Sequence, residues 1–224
     1  MLPDIAPFLE WVAKFLQENW QTSISALSGT FLGAYLAFLF QRRYTDAKER
    51  EANLDAAKAA QFAIAVQLRG AINIKQQVLD PKREDPERHL KLTPFTVHAK
   101  FPNLNIPSLT FMLKGEGAQL LNEIMLAGHQ FDTLIGALEE RNVRHEAMQR
   151  RVSEHGPDVG LDRATLIILK DMTDSIFGLG DDVVKELQSV FERLRTYIEK
   201  TFPGVKALSI ELKGPGSHFH ELLS

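Results

Sequence analysis

Two residues, Arg150 and His155 in the run RRVSEH, form the pairing in this chain best suited to phosphate chemistry. A guanidinium can stabilise the charge on a pentacoordinate phosphate, and an imidazole titrating near neutrality can move the proton of a neighbouring hydroxyl. Arg83 and His89 repeat a similar spacing within a proline-rich stretch, and Arg141-Asn142 precedes His145 more closely. Other chemistry is sparse. The sequence has no glycine-rich phosphate loop, HExxH, nucleophile elbow or EF-hand pattern. With no cysteine, disulfides, thiolate chemistry and the common cysteine zinc sites are excluded. His218 and His220, in SHFHELLS, are two potential ligands near the end of the sequence and fall short of a metal site. No metal and no cofactor are therefore expected. Glu139, Glu140, Glu146 and Glu154 read as a solvated face offset by arginines three and four positions away.

The elements that must position these residues are helices. Residues 118–155 carry Leu121, Ile124, Met125, Phe131, Leu134, Ile135 and Leu138 at helical period. Beyond Leu138 the apolar positions fade into EERNVRHEAMQRRVSEH, so that end is expected to face solvent or a partner, and Gly156-Pro157 ends the helix. Asp162 is expected to cap a further helix stopping at Gly178-Leu179-Gly180, with another over residues 181–201. Before them, residues 80–107 hold Pro81, Pro86, Pro94, Pro102 and Pro107, a density that forbids one continuous helix. This long crossover loop is expected to be pinned by Leu90, Leu92, Phe95, Phe101 and Ile106, after which Ser108 caps a short turn. Residues 205–224 form a C-terminal arm, extended or a short strand. The expected fold class is all-α, a four-to-five-helix bundle.

Residues 22–40, TSISALSGTFLGAYLAFLF, contain no charge. A helix needs about 20 such residues to cross a bilayer. Trp20 stands at one end and Gln41-Arg42-Arg43-Tyr44 follows the other, as flanks of a span do. Ser25, Gly29, Gly33 and Ala37 recur every fourth position, the small-residue spacing that lets helix backbones approach in lipid. Residues 1–21 form an amphipathic segment that lies in the interface or packs against protein, its own or a neighbouring copy's. Cations cluster after the span, at Arg42, Arg43, Lys48 and Arg50, so residues 41–224 are expected in the cytoplasm and the amino terminus outside. One helix is expected from about residue 22 through the proline-free stretch to about residue 79. Formal net charge is -3, with no global basic footprint for nucleic acid.

RRVSEH resembles the R-x4-6-H signature of HEPN domains, all-α folds whose nuclease members pair two such motifs across a dimer. Arg151 follows Arg150 where those members often have Asn, Asp or His, and His145 comes one residue too soon after Arg141. The order of amphipathic start, small-residue span, long Ala-rich helix, DPERHLKL loop and helical bundle is also similar to small bacterial single-span proteins with a HEPN-like domain. It resembles the membrane accessory proteins of type VI-B CRISPR systems. The resemblance implies a homo-oligomeric inner-membrane protein that permeabilises or depolarises the cell in antiphage defence, beside an effector protein as partner. In such an assembly Ser25, Gly29, Gly33 and Ala37 would be the oligomer contact. Thr22, Ser28 and Thr30 would be the polar lining or interface, and Arg42 and Arg43 a cationic ring at the mouth. Two other functions stay open: a non-catalytic membrane tether for a cytoplasmic partner, and a metal-independent RNase using Arg150 and His155.

Overall fold

The computed structural model describes residues 6–94, 101–156 and 163–209, with backbone alone at 16, 19–23 and 26. Among the described residues the regular structure is entirely helical, as the periodicities require. The chain divides into two units, Met1–Ala52 and Asn53–Ser224.

The first unit is the opening part of helix α1, Ala6–Ile74. Helix begins at Ala6, so the amphipathic segment and the uncharged stretch are one element rather than two. Nothing in residues 6–52 stops a helix, since Gly29 and Gly33 cost only about 1 kcal/mol each relative to alanine and Pro7 falls in the first turn. A helix standing alone has no second element on which to bury apolar surface. Phe8, Leu9, Trp11 and Phe15 are exposed, with Trp11 stacked on Phe15 at 5.6 Å between ring centroids. Further along, Leu27, Phe31, Leu32, Tyr35, Leu36, Phe38 and Phe40 are exposed as well. Among the described residues no helix is long and apolar enough to cross a membrane. Side chains at Thr22, Ser23 and Ala26 lie outside that description, so the uncharged stretch is described without a break only over residues 27–40.

The second unit has the core. Residues 53–74 of α1 present Ala57, Ala60, Ile64, Leu68, Ala71 and Ile74 inward, a small-residue face that lets neighbouring helices come close. Helix α1 ends in a π turn, Lys75–Leu79, where the Asp80 N–H donates to the Lys75 carbonyl. After it come a 3-10 turn, Asp80–Lys82, and a one-turn helix α2, Arg88–Lys91. A second 3-10 stretch spans Ile106–Leu113. Ser108 sits inside that stretch and not at its cap, its hydroxyl donating to the Asn105 carbonyl at 2.7 Å. The crossover is pinned by Leu92, 1% exposed, by Phe101 edge-on to Phe131 at 4.7 Å, and by Leu104 and Ile106 against the core. Phe95 lies outside the described residues.

Helix α3, Gly117–His155, matches the expected bounds closely. Its partner is one helix, α4, Arg163–Thr201, and not two. Gly178 and Gly180 pass through it without a positive φ, which among the described residues belongs to Gly115, Gly156 and Gly204. Gly180 is there for packing: a Cβ on it would lie 2.7 Å from Leu79 Cδ1. Among the described residues, the bundle expected to have four or five helices has three long ones, together with α2 and the 3-10 stretches. Phe131, Leu134, Val183, Leu187, Phe191 and Leu194 fill its centre. Residues 205–209 have no regular structure and pass beside α1, where the Gln61 amide grips Leu208 by both backbone groups, each at 3.0 Å. The rest of the arm, like Asp162, lies outside the described residues.

Candidate functional site

Three groups of residues were candidates for function, and the structure gives each a different setting. The small-residue row comes first. Ser25, Gly29, Gly33 and Ala37 are exposed, and a Cβ on Gly29 or Gly33 would have nothing within 4 Å. Their face is open for another helix. Ser28, Thr30, Arg42 and Arg43 are also exposed, whereas the Thr22 side chain is outside the described ones.

Arg150 and His155 come second. Both are exposed, and His155 Nδ1 lies 4.0 Å from Glu154 Oε2. Because α3 runs unbroken to His155, residues five apart are turned by about 140° around its axis. The two side chains leave the helix on different sides, so the structure does not bring them together within one subunit.

The third group is the pair set aside for its spacing. Arg141 and His145, four apart, share one face of α3. That face is buried: Arg141 is 0% exposed and His145 3%. Fading apolar character after Leu138 suggested an exposed end, yet Arg141 and His145 continue the buried stripe in polar form as far as Met148. Arg141 Nη2 donates to the His89 carbonyl at 2.9 Å, and His145 Nε2 lies 3.0 Å from the Leu90 carbonyl. The motif residue His89 thus meets this pair through its backbone, from α2. Burial pulls the Arg141 guanidinium down to about 10, which leaves it cationic at neutral pH. Burial, and then the Arg141 charge, push the His145 imidazole below its ordinary value.

An ion-pair cluster fastens the roof over this pair. Asp181 accepts from Lys75 and takes Arg83 bidentately, at 2.9 and 3.0 Å. The Lys75 and Arg83 cations hold the Asp181 carboxyl below its ordinary range. Arg88 pairs with Asp174 at 2.9 Å, and its guanidinium lies 4.7 Å from the centre of the Phe177 ring, an attractive cation–π placement. A small groove between α3 and α4 beyond the buried pair is lined by Arg144, Met148, Arg151, Thr165 and Ile168. Arg144 is engaged by Glu140 at 2.7 Å.

No protein-family model, curated protein or solved structure matches this chain. Among the described residues no group of three or more His, Cys, Asp or Glu could hold a metal ion. His218 and His220 lie outside them.

Sequence reasoning missed the buried Arg141/His145 pair because it judged the spacing against a motif. The usable signal was simpler: two residues four apart that continue the Leu134 and Leu138 stripe.

Proposed function

We propose that the chain is a membrane-anchored helical protein that associates with copies of itself through Ser25, Gly29, Gly33 and Ala37. In this reading residues 22–40 cross the bilayer, residues 41–224 lie in the cytoplasm, and the assembled spans permeabilise or depolarise the membrane. The observation that carries the proposal is the exposure of Leu27, Phe31, Leu32, Tyr35, Leu36, Phe38 and Phe40, which together cover about 220° of the circumference of α1, with the small residues Thr30, Gly33, Ala34 and Ala37 on the remaining arc. A helix whose wide apolar face is completed by small uncharged residues is stable where lipid or protein surrounds it. The charge-free run and the following Arg42 and Arg43 favour lipid for the larger share. Within lipid, the open glycine row supplies close backbone contact that acyl chains cannot match. The antiphage setting, with an effector protein as partner, rests on the resemblance alone.

The test is dye release from liposomes. The chain is expected to release a trapped fluorophore with a steep dependence on protein concentration. Gly29→Leu with Gly33→Leu should abolish release and reduce the detergent-solubilised species to one subunit. Persistent assembly without release would instead support a tether that holds a cytoplasmic partner at the membrane.

A further inference from the structure

Arg141 stands in the middle of α3, completely enclosed. A guanidinium carries five N–H donors and keeps its charge in proteins. Among the described residues only Nη2 has an acceptor, the His89 carbonyl, while Nε and Nη1 are buried without one. Glu140 is paired with Arg144 at 2.7 Å and Asp174 with Arg88 at 2.9 Å, while the exposed carboxylate of Glu146, next to His145 on α3, acts on that imidazole in the raising direction. An enclosed cation with no compensating charge is strongly unfavourable, and folded proteins rarely keep one.

His145 adds a second incomplete group on the same face. Its Nε2 faces a carbonyl that can only accept, which places the proton there and leaves Nδ1 bare, buried and unpartnered. Protonation of Nδ1 would make it a donor on the same buried helix face that carries the two idle guanidinium nitrogens. Both carbonyls that hold the pair belong to α2, so this helix is its roof, pinned by Arg88–Asp174 and by the enclosed Leu92.

We infer that Arg141 and His145, roofed by α2, form a binding site for a small oxyanion of the phosphate class. A cation with idle donors in two directions and an imidazole able to become a third donor suit a multidentate oxyanion better than a halide. Complete enclosure limits the ligand to a few heavy atoms. Free inorganic phosphate is within that limit once α2 has lifted to admit it, whereas the phosphoryl group of a larger molecule requires α2 to stay lifted.

The experiment uses the full chain in detergent, dialysed exhaustively into chloride, with binding followed by calorimetry at matched ionic strength. Inorganic phosphate is expected to bind at one per chain. Comparable binding of glycerol 3-phosphate would identify a phosphoryl group on a larger molecule as an equally acceptable source. Sulfate, whose charge is constant over the range, should bind several-fold tighter at pH 6 than at pH 7.5, because occupancy draws a proton onto His145. Arg141→Gln should weaken phosphate at least tenfold, and His145→Gln should remove the pH dependence of sulfate binding. Should Arg141→Gln fail to fold, the wild-type titration and His145→Gln still decide. The inference is overturned if the wild-type chain takes up neither phosphate nor sulfate beyond the chloride control. A crystal structure placing one of the chain's own carboxylates on Arg141 would overturn it equally.

Discussion

At the scale of single residues, the most consequential placement is a histidine kept neutral inside the second unit. Burial and the Arg141 charge hold the His145 imidazole below its ordinary 6.5. The unfolded chain, lacking both influences, therefore takes up a proton first as pH falls. Stability from this residue is complete above about pH 6.5 and declines as pH drops toward the lower folded value. Thermal unfolding in phosphate-free buffer between pH 7.5 and 5.5 should show that decline. His145→Gln, which keeps a donor for the Leu90 carbonyl, should flatten it, and an unchanged slope would contradict the assignment. Little of this was readable from sequence. An arginine and a histidine among EERNVRHEAMQRR look like surface residues, because only the packing of α2 onto α3 decides which of them is enclosed.

At the scale of elements, the sequence showed where helix exists more plainly than where it stops. Residues 118–155 were legible because one apolar stripe and one Gly-Pro stop frame them. Glycine misled at Gly178-Leu179-Gly180, where two residues of low helix propensity looked like a terminus. Tertiary packing overrides propensity there, since Leu79 from the π turn needs the space that Gly180 leaves. The two glycines should respond oppositely to alanine. Gly178 is exposed with nothing within 4 Å of a Cβ, so Gly178→Ala should stabilise by about 0.5–1 kcal/mol through helix propensity. Gly180→Ala drives a methyl against enclosed Leu79 and should destabilise by roughly 1 kcal/mol, the overpacking penalty outweighing the propensity gain. Urea unfolding of both variants checks the pair, and equal gains would show that Leu79 yields freely. The merging of the amphipathic segment, from Ala6 onward, with the following stretch has a related cause: no residue between Pro7 and Arg43 is a strong helix breaker.

At the scale of the whole molecule, the two units solve the burial problem differently. Asn53–Ser224 encloses Phe131, Leu187, Phe191 and Leu194 within its own helices. Among the described residues, Met1–Ala52 holds one helix and leaves Phe8, Trp11, Phe31, Phe38 and Phe40 uncovered. The all-α class and the long helix after the uncharged stretch were legible from composition and period alone. What surrounds that stretch was not, because a folded chain shows which surface is uncovered and leaves the covering medium to be measured. Alkaline carbonate extraction of membranes from cells expressing the full chain, and in parallel a chain beginning at residue 53, makes that measurement. The account predicts the full chain in the membrane pellet and the shorter chain in the supernatant as a folded protein. Full-length protein released into the supernatant as single subunits would contradict it.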